Sequence, residues 1–219
     1  MIFPDFNHLP HAVVDLDVEA RQWRAEHSDV AKSGENPLLD PAVCQSMVDD
    51  MHCRLSVVWS YGGWMENRSV LWAGSYLEQD KKFNHLGIDF NVPSGTQIMT
   101  HRKLEVVRAD EDDGEEGGWG PLLIMQPRDG DQSIMLIYGH LSREWRCKVG
   151  DILSPGSIFA EVGEAPYNGN WFPHVHVQAI TAKHYEHLLK NNLRDLDGYC
   201  TDAEKADALV HFPDPIVFL

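Results

Sequence analysis

Pro173-His174-Val175-His176-Val177-Gln178-Ala179-Ile180 is the stretch on which the reading of this chain turns. Two histidines flank one valine and run on into an apolar, partly β-branched sequence. On an extended strand, positions i and i+2 share a face and lie about 6.6–7 Å apart, so both imidazoles reach one site. Equally, one of them binds a metal while the other faces its water. On a helix the two side chains would diverge by roughly 200°. The pair therefore acts together only in a β context, and the neighbouring sequence supplies one.

From about Leu55 onward, β-rich runs such as Leu55-Ser56-Val57-Val58-Trp59 and Ser133-Ile134-Met135-Leu136-Ile137-Tyr138 are bounded by turn residues. Turn signals recur at Tyr61-Gly62-Gly63, Pro93-Ser94-Gly95, Asp129-Gly130, Val149-Gly150-Asp151 and Pro155-Gly156. Short strands with close turns and no interleaved helices predict a mainly β fold, an antiparallel sandwich or part-closed barrel, over residues 53–180.

Residues 1–52 read as an N-terminal helical extension. Asp40-Pro41 supplies an N-cap and a first-turn proline, and Val43, Cys44, Met47, Val48 and Met51 follow at helical spacing. Residues 18–27 form a second predicted helix, and Gly34 to Pro37 a connector. Residues 181–219 read as a C-terminal helical extension, with Tyr185, Leu188 and Leu189 on one side. There Thr201-x-x-Glu204 forms a capping box before a last helix that Pro213 ends. The acid-rich stretch from Asp110 to Glu116 reads as a solvated loop, because EF-hand ligand spacing is absent.

A net charge of -16 over 219 residues argues against nucleic acid or an anionic membrane surface as partner. No run reaches the roughly 18–20 apolar residues of a membrane span. Met1 to Asp17 lacks a basic n-region and an apolar h-region, so the expectation is a cytoplasmic chain, periplasmic or extracellular only by another export route. Cys44, Cys53, Cys147 and Cys200 are scattered without a C-x-x-C pair and read as buried free thiols.

Two further blocks join the His-x-His pair: His85-Leu86-Gly87-Ile88-Asp89 and Tyr138-Gly139-His140-Leu141. A catalytic zinc takes three protein ligands and keeps a fourth position for water. These blocks hold imidazoles for two ligands and two acid–base groups, with Asp89 as the natural third ligand. Fully extended, residues 85 and 89 would lie roughly 13 Å apart, too far for one ion. A bend at Gly87, where glycine tolerates unusual backbone angles, would turn both side chains inward. His140, after an apolar run, suits a proton donor or a partner for developing oxyanion charge. Histidines 8, 11, 27, 52, 101, 184, 187 and 211 lack such context.

In this order the three blocks resemble the lysostaphin-type (LytM-type) zinc metalloendopeptidases. That family's pattern is H-x-x-x-D, a histidine after a tyrosine-bearing strand, then H-x-H near the end of the domain. Gly87-Ile88-Asp89-Phe90, Val92-Pro93-Ser94-Gly95-Thr96 and Lys148-Val149-Gly150-Asp151 leading to Phe159-Ala160-Glu161-Val162-Gly163 extend the likeness to about residues 80–180. The resemblance implies an antiparallel β-sheet groove with one zinc ion per chain on its floor. It implies zinc ligands at His85, Asp89 and His176, and acid–base and oxyanion roles at His140 and His174. The implied substrate is a peptide or peptidoglycan-derived peptide, cleaved by zinc-activated water. The terminal layout, with Asp214-Pro215, is similar to the peptidase module sometimes fused to class III aminotransferase and kinase-like domains.

Three features depart from a wall-lytic enzyme: the missing export signal, the bulky Gly169-Asn170-Trp171-Phe172 that predicts a narrowed groove, and a basic strand at Ile98-Met99-Thr100-His101-Arg102-Lys103. They leave room for a cytoplasmic zinc amidohydrolase on a small soluble substrate. A non-catalytic binding module of the same fold would be expected to lack ligands, and this chain lacks none. A lipoyl- or biotinyl-type carrier, prompted by Pro155-Gly156 and Ile158 to Gly163, lacks the exposed hairpin lysine and leaves the histidines unexplained.

Overall fold

Apolar segments without a charged residue build the middle of the molecule. The computed structural model describes residues 2–27, 35–112, 117–130, 132–191 and 196–219. The strands are β1 His11–Val13, β2 Trp59–Gly62, β3 Asn84–His85, β4 Ile88–Asn91, β5 Gln97–Met99, β6 Leu104–Asp112, β7 Gly120–Pro127, β8 Ile134–Gly139, β9 Ile152–Leu153, β10 Ile158–Glu161, β11 Val175–Thr181 and β12 Tyr199–Cys200. The α-helices are α1 Leu16–Glu26, α2 Pro41–Leu55, α3 Leu77–Asp80, α4 Ala182–Lys190 and α5 Lys205–His211.

Eight strands form one sheet in the order β1-β2-β4-β11-β8-β7-β6-β9, and β10-β5 and β12-β3 make two small ladders. Pairing is antiparallel throughout except between β1 and β2. The fold is thus mainly β, as the turn-bounded runs predict.

β11 lies between β4 and β8, with His176 opposite Asp89 on one side and Gly139 on the other. The period of two then sorts its side chains. Val175, Val177 and Ala179 join Leu136, Tyr138, Phe90 and Phe159 in the main core. His176, Gln178 and Ile180 face the opposite way, where Ile180 packs with Ile137, Tyr185 and Phe212. His176 therefore sits on a sheet face that the C-terminal helices partly cover.

The helical flanks follow their caps. Asp40 accepts from the amides of Ala42 and Val43, and Cys44, Met47, Val48 and Met51 of α2 are buried. Asp15 caps α1 by accepting from Val18 N. Thr201 and Glu204 exchange backbone-to-side-chain bonds, the predicted capping box. Leu189 departs from its predicted packed side and is exposed.

Several local expectations change. The run Leu55 to Trp59 is not a strand, because α2 continues to Leu55 and Ser56 caps it in the left-handed conformation at φ 56°. Tyr61 and Gly62 belong to β2 rather than to a turn. The basic segment is not a strand either: β5 ends at Met99, and Thr100–Lys103 is a loop in which Arg102 pairs with Asp129. The N-terminal region adds a strand to its helices, β1, which extends the main sheet. Gly34 and residues 113–116 of the acidic stretch lie outside the described residues.

All four cysteines are free, and Cys53 is exposed rather than buried. Burial pushes the Cys44 thiol up to about 12, so it acts as a packing group. Among the described residues, no helix is long and apolar enough to cross a membrane.

Candidate metal centre

The chain brings all three blocks together. The bend falls at Gly87, between β3 and β4, so that His85 and Asp89 both face His176. Gly87 earns its place by space rather than by backbone angle. A Cβ there would lie 2.4 Å from His176 Nε2 and 2.7 Å from the Val177 carbonyl. Gly87→Ala should therefore cost about 1–3 kcal/mol by overpacking and displace the His176 ring. Denaturation of the metal-free protein and a zinc titration check this, and an unaltered result in both would refute it.

Hydrogen bonds fix the tautomers of the ring nitrogens. His85 Nδ1 donates to the Gly63 carbonyl at 3.1 Å, leaving Nε2 without a hydrogen. Gln178 donates through Nε2 to the Asp197 carbonyl, so its oxygen faces His176 and accepts from His176 Nε2 at 3.0 Å. His176 Nδ1 is thus also bare. These two nitrogens lie 2.9 Å apart. Asp89 Oδ1 stands 3.1 Å from His176 Nδ1 and 3.5 Å from His85 Nε2.

Three acceptors consequently converge with no proton between them, in a place where all three residues are buried. Such an arrangement is costly unless a cation satisfies it. A tetrahedral ion with bonds near 2.0–2.1 Å separates its ligand atoms by about 3.3 Å, which the observed spacing matches. His85 and Asp89 do not escape by protonation. Burial first, and Arg68 second, hold His85 well below the ordinary histidine range. Burial opposes ionisation of Asp89, yet the fixed charge of Arg68 on its second oxygen keeps its carboxyl well below the usual range. The donor set suits zinc.

His140 and His174 stand beside this trio, their ring centroids 4.5 Å apart. His174 Nδ1 donates to the Phe172 carbonyl at 2.8 Å and His140 Nδ1 to the Asn168 carbonyl at 2.9 Å. Each Nε2 is thereby left as an acceptor, and His174 Nε2 lies 3.6 Å from Asp89 Oδ1. Burial favours the neutral form of both rings. His140 adopts φ 60°, a left-handed conformation in which its amide donates to the Trp119 carbonyl.

The site opens into a cleft of about 780 Å³ with aromatic walls that include Trp72, Tyr76, Trp119 and Trp171. Each aromatic is tied down by its polar atom. Trp171 Nε1 donates to Gly118 O, Tyr76 OH to Gly117 O and Trp119 Nε1 to Leu196 O. Of the bulky segment before His174, Trp171 lines the cleft.

The supporting shell escapes a sequence reading. Arg68, fully buried, donates to Asp89 Oδ2 at 2.5 Å and to Glu66 Oε1 at 3.0 Å. Gln178 carries the one usable signal, since it lies two residues from His176 on the same strand face. Arg68 leaves only the faint mark of a cation just before the apolar Val70-Leu71-Trp72. Gly63 and Asn168 contribute backbone carbonyls, which no side-chain pattern announces.

Residues 83–187 match the sequence model of Peptidase family M23. No curated protein sequence matches the chain. Among solved structures it is similar to LytU, at 23% identity over 62% of this chain and 72% of that one, with a TM-score of 0.41. It is also similar to the catalytic domain of the antimicrobial peptidase lysostaphin from Staphylococcus simulans, at 24% identity over 62% and 79% of the two chains, TM-score 0.42. A variant of the catalytic domain of the prophage-encoded M23 protein EnpA from Enterococcus faecalis shares 28% identity over 45% and 69%, TM-score 0.38.

Proposed function

From the match of residues 83–187 to the sequence model of peptidase family M23, we propose that this protein is a zinc-dependent endopeptidase acting on peptidoglycan-derived or related peptides. The observation that carries the reading is the convergence of His85 Nε2, Asp89 Oδ1 and His176 Nδ1 at 2.9, 3.1 and 3.5 Å from one another, while the other nitrogen of each ring meets a hydrogen-bond acceptor. Zinc held by these three residues would supply a Lewis acid and a water ionised near neutral pH.

The remaining work falls to this chain's own groups. His174, its Nε2 bare and 3.6 Å from Asp89 Oδ1, accepts the proton released as water adds to the scissile carbonyl. The C–N bond then breaks, and the same proton passes to the leaving amine. His140 Nε2 is likewise an acceptor in its neutral tautomer. It orients the attacking water, and it donates to the developing oxyanion only after gaining a proton. The aromatic walls offer a bound peptide apolar surface beside the metal centre.

Purified protein should carry about one equivalent of zinc, lose it to a strong chelator and regain activity on zinc addition. Turbidity loss of purified peptidoglycan tests the wall substrate, and a peptide and muropeptide panel read by mass spectrometry identifies the bond. Full hydrolysis after exhaustive chelation would defeat the metal-dependent reading. Zinc binding without cleavage of any panel member would defeat the substrate assignment.

A further inference from the structure

Resting on that reading of the metal centre, we propose that Arg68 is a positioning residue that keeps Asp89 a one-oxygen ligand. Arg68 Nη1 occupies Asp89 Oδ2 at 2.5 Å, so only Oδ1 faces the imidazole nitrogens. The guanidinium is itself held in place. Its Nε donates to Glu66 Oε1 at 3.0 Å, and Nη1 approaches the Tyr199 hydroxyl at 3.4 Å. That hydroxyl accepts in turn from Trp72 Nε1 at 2.8 Å. The side chains of Arg68, Asp89 and Glu66 are 1%, 2% and 5% exposed, so water cannot substitute for any of these bonds.

The consequence is geometric. A carboxylate with both oxygens unoccupied can chelate an ion through both, which consumes a coordination position. Occupying Oδ2 with a charged donor removes that option and leaves the position for water or substrate. Arg68, Glu66 and Tyr199 all lie outside residues 83–187, so the flanking segments complete the centre rather than decorate it. Residues holding a ligand from behind typically contribute 10–100-fold to metal affinity.

The test uses R68M, R68K and the double variant E66Q/R68M in the full chain. The double variant avoids stranding Glu66 as a lone buried anion, and carries the comparison if R68M unfolds. Zinc affinity is measured by chelator competition, coordination by the visible absorption of the cobalt-substituted protein, and folding by circular dichroism of the metal-free form. We expect zinc to bind R68M and the double variant roughly 10–100-fold more weakly, with R68K intermediate. Cobalt absorption should lose intensity as Asp89 chelates and the coordination number rises. Folded variants with wild-type affinity and an unchanged cobalt spectrum would overturn the role of Arg68 alone. A wild-type protein that binds neither metal would overturn the reading of the centre together with it.

Discussion

Asp89→Ala should make the metal-free protein unfold more readily, by about 3–5 kcal/mol, although it removes a group from a crowd of acceptors. Two effects compete. Deleting one of three facing acceptors relieves repulsion among lone pairs. Against this, Asp89 is the 2.5 Å counter-ion of the fully buried Arg68, and its loss leaves that cation with Glu66 alone. Stranding part of a buried ion pair outweighs the relief, because the guanidinium has no route to solvent. His176→Ala makes the useful contrast: it deprives Gln178 of a neutral partner and should cost only about 1–3 kcal/mol. Both variants should lose tight zinc binding. Urea unfolding of chelator-treated protein separates them, and equal stability of Asp89→Ala and wild type would mean that the buried pair contributes nothing to the fold.

The second large effect concerns turnover with the metal in place. His174→Ala and His140→Ala should each lower kcat by about 10²–10⁴ while zinc content stays near one equivalent. Neither ring supplies an atom to the acceptor trio, so the metal has no reason to leave. The rings lie 4.5 Å apart and both present a bare Nε2, so we expect them to work as a unit around one proton. The double variant should then be little worse than the poorer single variant. Rates that multiply instead would show two independent contributions. Wild-type turnover in zinc-loaded His140→Ala would remove that residue from the reaction.

The parts of this site legible in sequence are those whose signal is local. His174 and His176 are two residues apart on a strand, and a strand's period alone puts them near one another. His85 and Asp89 need a bend, and Gly87 between them advertises it, though the glycine is required for clearance from His176 rather than for an unusual φ. What sequence does not reveal is long-range. Arg68 meets Asp89 across 21 residues and Tyr199 across 131, with no periodicity linking them. β1 is three residues long and pairs in parallel with a strand beyond two helices, so no hairpin signal marks it. Leu55 to Trp59 misleads because β-branched residues beyond a helix end look like a strand until the left-handed Ser56 is known.

His140 sits at φ 60°, a conformation that disfavours side chains with a Cβ, and such local strain costs roughly 1–3 kcal/mol. Glycine or asparagine would settle there more comfortably. A library of variants sorted for heat resistance alone would therefore be drawn to position 140, and its toughest survivors would have discarded the imidazole. Any effort to harden this protein has to screen for turnover at the same time.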